Sequence, residues 1–587
     1  MTEEKGMNRP GSTPGFSRRD FLKGTATGAV GVAAMGILGG CASTNAGAET
    51  APAPEYMTSE LADKKWNFEI PPAPIPESDI AETFTADVII VGAGTSGLVT
   101  GNSAAESGAT VMVISASKAP VARGGSNFAV YCKAMERVGV PRVDPWVFQK
   151  EIYAGANNID QKKWYKFYNH SEEAMNWAID IMEGAGYGVT VEYGTPMEPN
   201  NLYHQPTAAV GWAPKEKAGD KTALVTAIGM YQPLFAGRLA ERLVEKGGKV
   251  FYNTIGKQLV REDQNTGRVT AVIALRQDGT YAKYVGKKAV VLATGDFSAD
   301  RDMMRKYCPS AASCISEETY AAPANYDVGF QYGGLLKGEG HKMGLWVGAA
   351  WQKSFPNCPM GASTMMPGPS LLYGCHWGLM VDRNGERFMN EYAIAPMAGV
   401  TGALQEGGAC YAIWDTGYAA YLNALDPSKK NADSADALAE TIEMWEKSVE
   451  AGNYVKADTL EKLIETLGLP ANTIDTVKRY NEMAKNGKDE EFYKPAAHLR
   501  EIKEGPFYGQ KTKDLIFLTV LGGLRTNAKM QVCDEEDNPI PGLYNVGTMI
   551  GDLFSGTYTF QVEGANYGMA CLTYGYLTGK YIAQNEK

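Results

Sequence analysis

The chain has 587 residues, too many for a single hydrophobic core, so two or more domains are expected. Its net charge of −11 without a basic block argues against binding to nucleic acid, because neutralising phosphates requires clustered lysine and arginine. The nine cysteines form neither C-x-x-C nor C-x-x-C-H, so no c-type haem and no common iron–sulfur run is encoded. No metal site is predicted, and a cluster built from distant cysteines stays open.

The first forty residues predict an export signal. Residues 17–23 read S-R-R-D-F-L-K, a full twin-arginine motif, and residues 24–40 follow without a charge. That stretch is too short and too weakly apolar to predict a membrane span. Residues 38–41, L-G-G-C, resemble a lipobox, so a lipid anchor at Cys41 is an open alternative. We expect export to the periplasm or to the outer face of the cell membrane, with membrane association only through that anchor.

Residues 86–114 predict a strand, a glycine-rich turn, a helix and a second strand. The apolar strand Ala86–Val91 leads directly into G-A-G-T-S-G, then into the helical stretch Leu98–Ser107 and the strand Thr110–Ile114. The glycines allow a tight turn and close approach of a pyrophosphate to the helix N-terminus. This order predicts a Rossmann-type dinucleotide site. Its predicted cofactor contacts are Gly92, Gly94, Thr95, Ser96 and Gly97.

The acidic residue that usually ends the second strand of such a site is absent. Ser115 or Ser117 stands there, depending on whether a short insertion is allowed. A serine can accept a hydrogen bond from a ribose hydroxyl but brings no charge. We therefore expect altered ribose binding, with Ser115 as the predicted contact.

Two downstream segments carry a family resemblance. Residues 289–297, A-V-V-L-A-T-G-D-F, form a predicted buried strand with a glycine turn, and residues 541–547 read P-G-L-Y-N-V-G. Here the chain resembles the flavoproteins that include fumarate reductases, succinate dehydrogenases and 3-ketosteroid Δ1-dehydrogenases. The resemblance runs from about residue 84 to 587. It implies FAD as cofactor and an α/β fold, with a Rossmann-type FAD-binding domain and an inserted α+β capping domain.

The resemblance also implies further cofactor contacts. Residues 123–126, R-G-G-S, resemble the family's loop beneath the isoalloxazine, and residues 338–340, G-E-G, resemble its G-D-G turn. Thr548 stands where the family usually has a glutamate. The implied contacts are Gly124, Gly125, Ser126, Ala293, Thr294, Gly295, Asp296, Glu339, Gly547 and Thr548.

The predicted cap carries a hairpin at residues 380–391, which resembles the family's V-D-x-x-G-x-R-F-x-N-E. We interpret Arg387 and Glu391 within it as an internal ion pair rather than as catalytic groups. The predicted organisation is an export signal (1–41), a flexible linker (42–81), the first part of the FAD-binding domain (82–350), the capping domain (351–505) and the second part of the FAD-binding domain (506–587).

The residues that hold a dicarboxylate in the family's fumarate reductases are missing. Those enzymes use two histidines and two arginines, because desolvating two carboxylates requires charged donors. Phe355 and either Leu518 or Thr519 occupy the places of the histidines, and Ala395 and Val562 occupy those of the arginines. The resemblance therefore argues against a fumarate-type substrate.

Two tyrosines are the candidate catalytic residues. Tyr558 lies in a Gly-x-Tyr element that resembles the segment with the catalytic tyrosine in ketosteroid dehydrogenases, and Tyr392 lies beside the cap hairpin. A phenol can hydrogen-bond a carbonyl and polarise the adjacent C=C bond. Among 31 tyrosines a packing role is the alternative for either one.

The resemblance implies an exported FAD-dependent reductase of the CH–CH class. It would pass hydride from flavin N5, with a proton, to an activated C=C bond of an enone, aromatic or steroid-like acceptor in anaerobic respiration. A 3-ketosteroid-type dehydrogenase and a non-catalytic flavin electron carrier remain alternatives. Without a second nucleotide fold or a haem motif, electrons must come from an external donor, either a membrane quinol or a periplasmic cytochrome or flavoprotein.

Overall fold

The computed structural model describes residues 66–154, 158–192, 209–217, 222–225, 229–327, 333–362, 378–392, 401–402, 404–425, 431–512, 515–555, 558 and 564–587. The predicted export signal, Cys41, most of the linker, Ala395 and Val562 lie outside these residues. Within the described ranges, no helix is long and apolar enough to cross a membrane.

The described strands form one large sheet and three smaller ones. In chain order they are β1 (Ile80–Val91), β2 (Val111–Ile114), β3 (Asn127–Phe128), β4 (Gly188–Glu192), β5 (Ala209–Ala213), β6 (Thr222–Val225), β7 (Lys249–Phe251), β8 (Ile255–Arg261), β9 (Val269–Leu275), β10 (Tyr281–Leu292), β11 (Met360–Ala362), β12 (Leu379–Val381), β13 (Cys410–Asp415), β14 (Val455–Ala457), β15 (Phe507–Thr512), β16 (Leu515–Phe517), β17 (Gln531–Cys533) and β18 (Pro539–Asn545).

The described helices are α1 (Thr95–Glu106), α2 (Lys133–Arg137), α3 (Pro145–Ala154), α4 (Gln161–Gly184), α5 (Gln232–Glu245), α6 (Arg301–Tyr307), α7 (Pro309–Ala312), α8 (Glu317–Ala321), α9 (Glu339–Trp346), α10 (Tyr418–Leu425), α11 (Ala435–Glu450), α12 (Leu460–Leu467), α13 (Thr473–Asn486) and α14 (Tyr574–Asn585). A π-helix, Asn566–Thr573, precedes α14. Short helical turns lie at Asn67–Glu69, Glu77–Asp79, Lys215–Lys217, Glu262–Asn265, Glu406–Gly408, Ala496–His498 and Gly547–Met549.

The large sheet is the centre of the FAD-binding domain. Its order is β17-β18-β10-β1-β2-β7, and β8 and β9 join it through the pairing of β9 with β10. The pairs β1–β10, β1–β2, β10–β18 and β2–β7 are parallel. Val88, Ile89 and Ile90 of β1 are fully buried, as expected for a parallel strand that is covered on both faces. The predicted α/β class is confirmed.

Helix α1 packs tightly on this sheet and on α14 because small residues let the backbones approach. A side chain at Gly97 would come within 2.1 Å of the Gly92 carbonyl oxygen, and one at Gly579 within 2.3 Å of the Thr100 carbonyl oxygen. The fold therefore brings the C-terminal helix against the glycine-rich turn that the sequence predicts.

The cap contains a second sheet, with the order β12-β13-β15-β14, covered by α10 to α13. Helix α12 is amphipathic and has a cap at each end: the Thr459 side chain caps its start, and Gly468, at φ 71°, ends it. Strand β15 begins after residue 505, so the sheet of the cap extends beyond the end predicted for the capping domain. The domain boundaries themselves stay predictions.

The predicted ion pair of the cap hairpin is confirmed, and it is part of a larger network. Arg387 donates two hydrogen bonds of 2.8 Å to Glu391, and two of 2.8 and 2.7 Å to Asp489. The Lys494 ammonium lies 3.4 Å from Glu391. All four side chains are almost completely buried, so the two positive and two negative charges compensate one another away from water.

Candidate cofactor and active site

A cleft opens at the carboxyl ends of β1, β2 and β10, where parallel sheets usually bind ligands. It encloses about 1360 Å³ of space, part of it open to solvent. Its described lining residues are Val91, Gly92, Ala93, Gly94, Thr95, Ser96, Ile114, Ser115, Ala116, Ser117, Val121, Ala122, Arg123, Gly124, Thr254, Ile255, Gly256, Ala293, Thr294, Gly295, Tyr326, Leu336, Glu339, Met343, Leu518, Thr519, Thr548, Asn566, Tyr567 and Cys571.

The glycine-rich turn after β1 forms the floor of the cleft. Gly92 has a φ of 118°, and a side chain there would meet the Ala293 carbonyl oxygen at 2.3 Å. Gly94 is the N-cap of α1, so the free N–H groups of the first helical turn lie at the cleft. Thr95 and Ser96 also line it, whereas Gly97 packs under the turn and does not.

A pair of serines takes the place of the missing acidic residue. Ser115 Oγ accepts a hydrogen bond of 3.3 Å from the Ala93 N–H and lies 2.8 Å from Ser117 Oγ. Ser117 in turn donates to the Ala119 carbonyl oxygen at 2.7 Å. Both serines line the cleft, so this end presents hydroxyl groups without a charge.

The loop at residues 123–126 meets the π-helix at the other end of the cleft. The Arg123 N–H donates to the Tyr567 hydroxyl at 3.1 Å, and that hydroxyl donates to the Arg123 carbonyl oxygen. Gly124, at φ 81°, lines the cleft beside the Tyr567 ring. Gly125 and Ser126 are not among the lining residues; the Gly125 carbonyl oxygen accepts from the Asn127 amide at 3.2 Å.

Sequence reasoning missed the contribution of the π-helix. It places Asn566, Tyr567 and Cys571 in the wall of the cleft. Burial raises the pKa of Cys571 to about 12 and also raises the pKa of Tyr567, so both side chains are neutral near pH 7. A short apolar segment without a 3.6-residue period gives no helix signal, although π-helices are frequent at functional sites.

The turn after β10 contributes Ala293, Thr294 and Gly295 to the lining, but the Asp296 carboxylate is used elsewhere. It accepts hydrogen bonds from the Thr519 hydroxyl at 2.7 Å, the Val520 N–H at 3.2 Å and the Ser298 hydroxyl at 2.9 Å. Asp296 therefore fixes the segment that carries Leu518 and Thr519, rather than lining the cleft itself.

Two buried polar atoms in the cleft wall have no hydrogen-bond partner among the residues that the structure describes. They are Thr548 Oγ1 and Asn566 Oδ1. Buried polar groups are almost always hydrogen-bonded, so these atoms fit a polar ligand such as the flavin and ribityl groups of FAD. Gly547 packs against the glycine-rich turn, since a side chain there would come within 2.6 Å of Ser96 Oγ. The remaining predicted contact, Glu339, lines the cleft as the first residue of α9.

The two candidate tyrosines lie in different surroundings. Tyr558 is half-buried, its ring packs edge-on against Phe554, and its hydroxyl is 3.5 Å from the N–H of the lining residue Asn566. Tyr392 is buried in the cap, where its ring stacks on His498 at 4.0 Å. Tyr558 therefore lies next to a lining residue but is not itself among the described lining residues, whereas Tyr392 packs in an aromatic cluster.

The side chains in the places of the substrate-binding histidines are uncharged. Leu518 and Thr519 line the cleft. Phe355 is 78% exposed, and its N–H donates to Ser555 Oγ at 3.2 Å, three residues before Tyr558. Leu521 pairs with Asn357 through hydrogen bonds of 2.8 and 2.9 Å, so the segments that carry these residues run side by side.

The glycine turn, the open helix N-terminus and the two buried polar atoms without a described partner are the features of a dinucleotide-binding site. The chain belongs to the family described as "FAD binding domain", which matches residues 87–561. Its cofactor is FAD, and it is an FAD-dependent oxidoreductase of the class that acts on CH–CH bonds.

Three comparisons place the chain among flavoenzymes. It is 25% identical to the fumarate reductase (cytochrome) of Shewanella frigidimarina over 86% of this chain and 78% of that one. It is also 25% identical to the vinyl phenol reductase of Lactiplantibacillus plantarum over 85% of this chain and 96% of that one. The solved 3-ketosteroid-delta4-(5alpha)-dehydrogenase of Rhodococcus jostii RHA1 is similar in fold, with a TM-score of 0.64 and 20% identity over 87% of this chain and all of that one.

Proposed function

We propose that the chain is a reductase that adds hydride and a proton to the activated C=C bond of a non-dicarboxylate organic acceptor. The acceptor is an enone, an aromatic alkene or a steroid-like molecule. Bound FAD supplies the hydride chemistry at its N5 atom. The chain's own residues bind and orient the substrate, polarise it and exclude water.

The observation that carries this proposal is the neutral lining that the π-helix and the segment of Leu518 and Thr519 contribute to the cleft. Tyr567 and Cys571 are uncharged there, and Arg123 is the only basic side chain among the described lining residues. A dicarboxylate would lose its hydration on binding, and without paired cations nothing would offset that free-energy cost. A neutral alkene does not carry this cost.

Tyr558 is the proposed catalytic residue. Its hydroxyl lies beside Asn566, at the edge of the cleft, where it can donate a hydrogen bond to a substrate carbonyl or phenol oxygen. Such a bond strengthens as negative charge develops on that oxygen during hydride addition, which lowers the barrier. The vinyl phenol reductase among the relatives supports an aromatic alkene as the substrate.

The cellular setting is part of the proposal. The twin-arginine motif at residues 17–23 supports export, and Cys41 supports a lipid anchor at the outer face of the membrane. Electrons then come from a membrane quinol or from a periplasmic cytochrome or flavoprotein, and the reaction serves anaerobic respiration. The cytochrome-linked fumarate reductase among the relatives is consistent with such a donor.

A dehydrogenase acting in the opposite direction is the second candidate, favoured by the fold similarity to a ketosteroid dehydrogenase. The test of direction uses the purified holoprotein without oxygen. If the chain is a reductase, we expect electrons from reduced viologen to drive the loss of the C=C bond of an added alkene. If it is a dehydrogenase, we expect an oxidised dye, as electron acceptor, to drive the formation of a C=C bond in saturated ketones.

Two tyrosine variants test the catalytic residue. Tyr558→Phe removes a hydroxyl at the cleft edge, so we expect reoxidation of the photoreduced flavin by an alkene to slow by about 10²-fold or more. Tyr392→Phe is the matched control, because its ring stacking in the cap is retained, and we expect less than a threefold change. An undiminished rate in Tyr558→Phe would remove this residue from the mechanism. Lack of reoxidation of the wild type by any alkene in a broad panel would favour a non-catalytic electron carrier.

A further inference from the structure

A short segment, residues 322–327, connects two separate parts of the cleft lining. We refer to it as the clasp. Tyr326 lines the cleft, and its hydroxyl donates a hydrogen bond of 2.6 Å to Glu339 Oε1, at the first residue of α9. Both Tyr326 and Glu339 are therefore part of the cleft wall.

The next residue fixes the clasp to the loop that follows β2. Asp327 Oδ1 accepts a hydrogen bond of 2.8 Å from the Lys118 N–H, 209 residues earlier in the chain. Lys118 directly follows Ser117, which lines the cleft beside Ser115. The Asp327 N–H is held by the Asn325 side chain at 3.1 Å, so the clasp is also stabilised internally. Two adjacent residues thus bridge α9 and the loop after β2.

The chemistry of the Tyr326–Glu339 contact makes it the stronger end of the clasp. Burial, together with the neighbouring Glu339 carboxylate, raises the pKa of Tyr326, so the phenol stays protonated and remains a donor. A hydrogen bond to a carboxylate is about twice as strong as one between neutral groups. Glu339 also lies at the N-terminus of α9, where the helix dipole stabilises its negative charge.

We propose that Tyr326 and Asp327 retain non-covalently bound FAD in the cleft by slowing its release. The clasp joins the loop with the serine pair to α9, and Tyr326 itself lines the space between them. FAD cannot leave past this part of the wall until one of the two hydrogen bonds breaks. The inference itself depends only on FAD binding and goes beyond the proposed reaction.

The experiment measures the release rate of FAD from the diluted holoprotein, through the fluorescence that FAD gains on leaving the protein. Tyr326→Phe and Asp327→Ala each remove one end of the clasp, and we expect each to raise the release rate about tenfold. Asp327→Asn keeps an acceptor oxygen for the Lys118 N–H, so we expect it to restore slow release. Tyr320→Phe is the matched control, because the Tyr320 hydroxyl donates to the Ala312 carbonyl oxygen, away from the cleft lining.

A double variant distinguishes a clasp from two independent contacts. If the segment acts as one unit, Tyr326→Phe with Asp327→Ala releases FAD about as fast as the faster single variant. An increase in the release rate of the double variant that equals the product of the two single increases would contradict the clasp. Release rates of the single variants within twofold of that of Tyr320→Phe would contradict it as well. Thermal unfolding of the apoproteins is measured alongside. A loss of apoprotein stability that accounts for faster release would also overturn the proposal.

Discussion

Asp296 joins the turn after β10 to the segment that lines the cleft at Leu518 and Thr519. Its carboxylate is 1% exposed and accepts hydrogen bonds from both of these parts of the chain. The sequence places Asp296 among the predicted cofactor contacts because it follows the glycine turn. That position alone could not predict its partners, since Thr519 is 223 residues away and is brought close only by the pairing of long-range segments.

Replacing Asp296 by asparagine is expected to destabilise the protein by about 2 kcal/mol, the usual loss for hydrogen bonds to a buried charged group. An amide offers one acceptor oxygen where the carboxylate uses two, so either Thr519 and Val520 or Ser298 loses its partner. Urea unfolding measures the change. The control Asp475→Asn makes the same change in a side chain that is 70% exposed, and it is expected to change stability by less than about 0.5 kcal/mol. Equal stability of both variants would contradict this role.

The buried ion-pair network of the cap makes the stability of the protein depend on pH. Burial alone would raise the pKa of Asp489, but hydrogen bonds from Arg387 and from the Lys494 and Phe492 N–H groups outweigh it and lower the pKa to about 2. The unfolded value is near 3.8, so the folded state binds fewer protons. The resulting stabilisation, about 2 kcal/mol, is present above pH 4 and is lost as the pH falls towards 2.

The corresponding measurement is the free energy of unfolding between pH 5 and pH 2.5. We expect Asp489→Asn to be less stable than the wild type at pH 5 and to lose less stability on acidification. Glu465→Gln removes an exposed carboxylate on α12 and is expected to keep the slope of the wild type. A wild-type slope in Asp489→Asn would contradict the coupling of this carboxylate to Arg387.

Elements with a local signal were predictable, and those built by distant contacts were not. The strand, turn and helix at residues 86–107 follow from the glycine motif, and α12 follows from its apolar face and Gly468. The sheet β3-β5-β4-β6 was missed, because its strands are short and separated by up to 80 residues. The π-helix was missed as well, because it depends on a long-range contact. A side chain at Gly568 would meet the Phe128 carbonyl oxygen at 1.9 Å, so only glycine lets the π-helix pack against that strand.

The chain has an FAD cleft, and its sequence shows neither a second nucleotide fold nor a haem motif, so we propose that its electrons come from a separate donor. We expect NADH alone to leave the flavin of the purified protein oxidised, whereas reduced viologen reduces it within the mixing time of an anaerobic assay. The absorbance of oxidised flavin reports both results. Rapid reduction by NADH would show that the chain binds a nicotinamide donor and would contradict an external quinol, cytochrome or flavoprotein.

We propose that this chain uses FAD to reduce a C=C bond in a substrate without two carboxylates. The most direct measurement is anaerobic stopped-flow reoxidation of the reduced holoprotein by 4-vinylphenol, a steroid enone and fumarate at equal concentration. The neutral wall formed by Leu518, Thr519, Tyr567 and Cys571 predicts reoxidation by at least one neutral alkene, at least a hundredfold faster than by fumarate. Reoxidation by fumarate at an equal or higher rate would contradict the claim.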